Sequence, residues 1–284
     1  MTLPRSPIRL LAAVLLAATT VAAHHPAAAK PRMPAATKSL QIALSPQPIN
    51  PNFTLISADF EQAEGFALAP LHLQRGCQTS GPNYAWASVV AANPASGAQH
   101  LRLVRDVAFD RGFPRLAFTS PTTLGPYSPT MATQQIYISN DGGADYYVIG
   151  QTPSQNLTAW QVVFSYSDDS GFGPGTIYIV DDLGGGADFV NTHVRWNPRV
   201  HNQLKVQFDP PAFQIRYYYA GRLIYTGSIY AATTVEQIVW ITDNYQQDGE
   251  YADIDQLLMI DSATDPTAAQ VSSWGRIKAA YRDP

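Results

Sequence analysis

The stretch "GEYADIDQLLMID", residues 249–261, sets Asp253 and Asp255 two positions apart in a run that alternates polar and apolar side chains. Near the other end of the folded region, "ADFEQAEGF" does the same with Asp59 and Glu61, and adds Glu64. On a strand, residues i and i+2 share a face at roughly 6.5–7 Å. Carboxyl pairs at such separations suit glycoside hydrolysis, which needs them about 5–5.5 Å apart for retention or roughly 6.5–9.5 Å apart for inversion. The same acids suit a second chemistry. Where the first and last strands of a sandwich lie side by side, alternation turns Phe60 and Ile254 to one face and Asp59, Glu61, Asp253 and Asp255 to the other. Four carboxylates so placed repel one another unless solvated, hydrogen-bonded or neutralised by a cation. Calcium, a hard ion that takes oxygen ligands, is the expected one, in a structural role. The competing reading is a solvated acidic edge that discourages strand addition.

A further group of residues suits binding. In "FQIRYYY", Gln214, Arg216 and Tyr218 fall on one face, and aromatic residues, 11% of the chain, gather late in it. Arg216, Tyr218, Tyr225 and Tyr245 are expected to line an exposed surface on which flat rings stack against sugar rings, with ordinary strand propensity as the alternative reason for the tyrosines. Trp196, Trp240, Phe213 and Ile215 are read as core. The chain carries no G-x-S-x-G elbow and no H-E-x-x-H helix. His72, His100, His193 and His201 stand singly and read as surface or cap residues. Cys77 is the single cysteine, so it forms no internal disulfide, and it reads as a small, half-buried residue.

The elements that must position these groups are strands. From residue 53 onward, short runs rich in Val, Ile, Tyr, Phe and Trp alternate with clusters of Gly, Pro, Asn and Asp. Many have period two, as in Leu204, Val206 and Phe208 against Lys205 and Gln207, which buries one face of an antiparallel strand and wets the other. About a dozen such strands in one domain predict an all-β, two-sheet antiparallel β-sandwich, a jelly roll, over residues 53–265. Residues 266–284 form a tail that holds at most one short helix. Upstream, Arg5 and Arg9 precede an apolar run at residues 10–18, the pattern of a secretory signal peptide over residues 1–23, with cleavage after Ala23 or Ala29. Residues 24–52 are rich in Pro and Ala and read as a flexible linker. The apolar run is shorter than the ~20 residues a membrane span needs, so the mature chain is expected to be exported, without a membrane span. A formal net charge of -4 offers no basic surface for nucleic acid.

"RWNPRVHNQLKVQFDPPAFQIRYYYAGRLIYTG", followed by "VEQIVWITD" and "YADIDQLLMI", resembles the laminin G-like and concanavalin A-like lectin/glucanase superfamily, and "ADFEQAEGF" with "SGAQHLRLVRD" resembles its opening strands. The resemblance implies the jelly-roll sandwich. Glucanases of that superfamily carry E-x-D-x-x-E or E-x-D-x-E on one strand. Here, counting from Asp253, Leu257 and Leu258 stand where the acid should be, and counting from Glu250 the middle place is Ala252. "DFEQAE" has the spacing but interchanges Asp and Glu, and Glu64 abuts Gly65. Polysaccharide lyases of the same fold use Arg, Gln or His, and Tyr. Gln214, Arg216 and Tyr218 supply those types without the usual strings. The reading reached is an exported, non-catalytic glycan-binding or cell-envelope-associated module, with a polysaccharide-degrading hydrolase or lyase as its main alternative and an adhesive protein as a third.

Overall fold

The computed structural model describes residues 54–81, 84–104, 115–139, 145–165, 175–242 and 249–262. Their strands in chain order are β1 (Thr54–Ala58), β2 (Gln78–Thr79), β3 (Ala87–Val90), β4 (His100–Val104), β5 (Arg115–Phe118), β6 (Thr130–Ile138), β7 (Tyr146–Thr152), β8 (Leu157–Ser165), β9 (Thr176–Asp182), β10 (Ala187–Arg195), β11 (Asn202–Asp209), β12 (Gln214–Tyr219), β13 (Arg222–Ser228), β14 (Gln237–Thr242) and β15 (Tyr251–Ile260). They form two antiparallel sheets. The front sheet runs β13-β12-β11-β6-β15-β4-β3, with β1 also paired to β15, and the back sheet runs β10-β9-β8-β7-β14-β5-β2. The expected two-sheet sandwich is therefore the observed fold, and its first and last strands do lie side by side. Helical structure among the described residues is limited to short 3-10 turns, and no helix there is long and apolar enough to cross a membrane.

Local chemistry explains the meander that carries the most residues of interest. Along β11, Leu204, Val206 and Phe208 are buried in the core. Between β12 and β13 the chain turns in two residues, Ala220 (φ 49) and Gly221 (φ 77), the pair of positive φ values that a type I′ hairpin requires. Phe213 departs from its expected core place. It is 71% exposed because it ends the 3-10 turn Pro210–Ala212 in a left-handed conformation, one residue before β12 begins to alternate.

The core between the sheets is built on Trp86, Trp160, Trp240, Tyr146, Tyr217, Phe164 and Phe208, all fully buried. Buried indole N–H groups need acceptors, and three of them find one. Trp240 donates to Gln134 Oε1 at 3.0 Å, Trp196 to the Ser165 carbonyl at 3.0 Å and Trp86 to the Ser80 carbonyl at 3.1 Å. Cys77 is buried rather than half-buried, and desolvation pushes its thiol up to about 11. The back sheet also departs from simple alternation. Tyr147, Ile149, Val163, Tyr178, Val239 and Ile241 form a second buried apolar cluster on the side of that sheet away from the core. Continuous runs such as "WQVVF" and "IVWI" are the sequence trace of strands that are apolar on both faces.

Gly150 on β7 is the tightest backbone approach to a core ring, since a Cβ there would meet the Trp160 indole at 2.4 Å. Gly150→Ala is expected to overpack this contact and lower stability by ~1–3 kcal/mol. Urea unfolding should then show a lower midpoint with an unchanged slope.

Candidate functional site on the front sheet

Three of the four acids expected to share a metal, Asp253, Asp255 and Glu61, are committed to the protein itself. Asp253, fully buried, receives Arg102 Nε on Oδ1 at 2.7 Å and an Arg102 terminal nitrogen on Oδ2 at 2.9 Å. His100 Nε2 lies 3.0 Å from the same Oδ1, and this histidine is fully buried instead of sitting at the surface. Asp255 accepts the Ser96 amide at 2.9 Å and the Gln256 amide at 2.8 Å. Burial pushes its carboxyl above the ordinary range, and the Asp59 charge adds to that, against the lowering by backbone donors. Glu61 accepts the Ala98 amide at 2.7 Å and the Gln99 amide at 3.0 Å.

Neither set of acids forms the site that its spacing suggested. Glu61 and Glu64 cap the 3-10 turn Gln62–Glu64, past the end of β1, so they do not share a strand face with Asp59. Glu64 Oε2 accepts the Asp59 amide at 2.8 Å. Among the described residues no group of three or more His, Cys, Asp or Glu side chains is arranged to hold a metal ion. With the lone pairs of Asp253, Asp255 and Glu61 turned to guanidinium and amide donors, the set does not fit calcium, which takes six to eight oxygens. The acidic edge is not solvated either, because Asp253 and Asp255 are both buried.

The outward face of the front sheet is where hydrogen-bonding groups and rings meet solvent. In the β11–β12 ladder Lys205 pairs with Tyr218 and Gln207 with Arg216, so four side chains form a compact quartet. Lys205 Nζ stands over the Tyr218 ring, 4.4 Å from its centre. The Tyr218 hydroxyl donates to Gln207 Oε1 at 3.0 Å, while Gln207 Nε2 faces the sulfur of Met131 at 3.8 Å. Arg216 and Tyr218 are both half-buried. A second aromatic group lies further along the same face. Arg102 packs 3.7 Å from the centre of the Tyr251 ring, Tyr137 stacks on Tyr251 at 6.1 Å, and His201 lies 5.1 Å from Tyr137. Desolvation raises the Tyr137 phenol above its ordinary value, and Tyr251 and Asp253 add to the shift.

Of the residues expected to bind ligand, the structure thus places Arg216 and Tyr218 together. Tyr225 is turned the other way. A bulge in the β12–β13 ladder pairs Tyr217 with Tyr225 but Tyr218 with Leu223, which reverses the alternation of β13. Tyr225 donates to Asp181 Oδ2 at 3.0 Å, and the Ser228 hydroxyl donates to Asp181 Oδ1 at 2.7 Å, so these residues clasp the edge of one sheet to the other. Tyr245 lies outside the described residues. Lys205, Gln207, Tyr137, Tyr251 and Arg102 were not expected in the site. Alternation in "NQLKVQF", "TQQIYIS" and "QHLRLVR" marks their outward face, but the strand order that makes them neighbours has no local signal.

No protein-family model matches the chain, and no curated protein matches it. Among solved structures, a sialidase matches with a TM-score of 0.51 and 13% identity, over 72% of this chain and 18% of that one. The receptor binding domain of botulinum neurotoxin D matches with a TM-score of 0.48 and 11% identity, over 79% of this chain and 53% of that one. The chain therefore spans about a fifth to a half of the lengths of these proteins. At such identities the likeness to the sialidase shows a shared β-sandwich fold.

Removing one partner of a buried ion pair costs more than removing both. Arg102→Ala is expected to destabilise the protein by ~3–5 kcal/mol, and the double variant Arg102→Met, Asp253→Leu to regain much of that loss. Chemical denaturation of the three proteins measures it, and a loss under ~1 kcal/mol in Arg102→Ala would contradict a dry Asp253.

Proposed function

We propose that the protein is an exported, non-catalytic glycan-binding module whose binding surface is the outward face of the front sheet. The observation that carries this reading is the half-buried Tyr218 ring, held by Lys205 and Gln207 and flanked by Arg216. A ring fixed in this way stacks on a sugar with little conformational entropy left to lose. Amide, ammonium and guanidinium groups around it supply hydrogen bonds to hydroxyls. The back sheet's outward face is dominated by a buried apolar cluster. The sandwich shared with a protein named sialidase is compatible with this reading. Export rests on the signal-peptide pattern of residues 1–23.

A polysaccharide lyase of the same fold is the competing reading, because Arg102, His201, Tyr137 and Tyr251 gather on this face. Their chemistry disfavours it. A phenol acting as base needs its pKa brought toward the working pH, whereas burial raises that of Tyr137. The Arg102 charge is already neutralised by Asp253, so it is not available to a substrate carboxylate.

Tyr218→Ala is expected to weaken retention on the polysaccharide that the mature protein binds roughly tenfold, the effect of a ~1.4 kcal/mol loss, with the fold retained and the melting temperature lowered by the loss of the donor to buried Gln207. Affinity electrophoresis through gels containing single polysaccharides measures the retention. Release of reducing ends or unsaturated sugars from any of these polymers would replace the binding reading with an enzymatic one.

A further inference from the structure

The binding quartet has a sign. His100 and Arg102 both turn to Asp253, and the other acid facing outward from β15, Asp255, is buried under backbone donors. The carboxylate on the β11–β12 part of the face is Asp209, two pairs beyond Arg216 in the ladder. Its Oδ1 is turned to the Ala212 amide of the adjoining 3-10 turn. The Arg216 side chain makes no ion pair or hydrogen bond among the described residues, although it is half-buried. Beside it, Gln207 spends its acceptor oxygen on the Tyr218 hydroxyl and aims its donor nitrogen at a thioether, a weak acceptor. Lys205 brings a second positive charge over the Tyr218 ring.

The quartet is therefore rich in donors, poor in acceptors and positive, on a chain whose formal net charge is -4. Such a surface is matched by a ligand that is rich in acceptors and negative. A guanidinium fork receives a planar carboxylate or a sulfate through two parallel hydrogen bonds. Resting on the glycan-binding reading, we infer that the ligand is an acidic polysaccharide, with a carboxylate or sulfate ester seated on Arg216 and its sugar ring against Tyr218.

Affinity electrophoresis tests this with polygalacturonate, alginate and hyaluronan, the carboxyl-reduced form of each, dextran sulfate against dextran, and neutral xyloglucan and galactan. Retention is expected with at least one acidic polymer. It should disappear with its uncharged counterpart, fall with added salt, and drop roughly tenfold in Arg216→Gln, with partial recovery in Arg216→Lys. Retention by dextran sulfate and not by the uronates assigns a sulfate, and the converse a carboxylate. Equal retention by charged and uncharged forms, or retention unchanged in Arg216→Gln, overturns the acidic ligand and leaves glycan binding standing. Retention by no polymer, acidic or neutral, overturns both.

Discussion

Strand β15 has three partners, and the front sheet depends on how it accommodates them. Along one side it pairs with β6. On the other, β4 takes residues Tyr251 to Ile254 and β1 takes Leu257 to Ile260. Between the two lies a bulge, with Gln256 at φ 50. A handover of this kind leaves backbone groups without a ladder partner, and buried groups of that sort are costly. Carboxylates supply the acceptors. Asp255 takes the amide of the bulge residue and that of Ser96, Glu61 takes two amides just ahead of β4, and Asp253 fixes β4 through Arg102. The acids whose spacing suggests a metal site are the fasteners of this junction.

That use of acids shapes the outward face. Carboxylates are drawn into the fabric of β15, and the β11–β12 ladder, across β6 from it, turns amide, phenol and cationic groups toward solvent. At the far edge, Asp181 performs a related task by holding Tyr225 and Ser228 of β13 against β9. Burial and the Asp181 hydrogen bond raise the phenol of Tyr225 above its ordinary range, so it remains a neutral donor and the clasp does not compete for charge. Closure of the sandwich and the sign of its binding face thus follow from one allocation of carboxylates.

Much of the fold was legible because period two is local. Leu204, Val206 and Phe208, the turn through Ala220 and Gly221, and the buried Trp196, Trp240 and Ile215 all stand where alternation and turn chemistry put them. Bulges are not written in that period. One extra residue in β13 turns Tyr225 inward and Leu223 outward, and the bulge at Gln256 hands β15 from β4 to β1. Long-range pairing was equally silent. Arg102 and Asp253 are 151 positions apart, and nothing near Asp253 in sequence announces a guanidinium, so the acids read as free ligands. Arg216 and Tyr218 were legible as a pair because they lie two apart on one strand. Lys205 and Gln207 join them only through cross-strand register.

Arg102 and Arg216 separate construction from recognition on this sheet. Both project outward from front-sheet strands. Arg102 has a bidentate carboxylate, a carbonyl acceptor at Ala92 and an aromatic ring against its plane, so its donors and its π-face are occupied before any ligand arrives. Arg216 has the same five donors and, among the described residues, no side-chain hydrogen bond or ion pair. A guanidinium left half-buried without an acceptor gives up hydration with nothing intramolecular in return, and such a group stabilises a complex more than it stabilises the fold. The sheet that anchors one arginine therefore presents the other, and the presented one stands beside the ring best placed to hold a sugar.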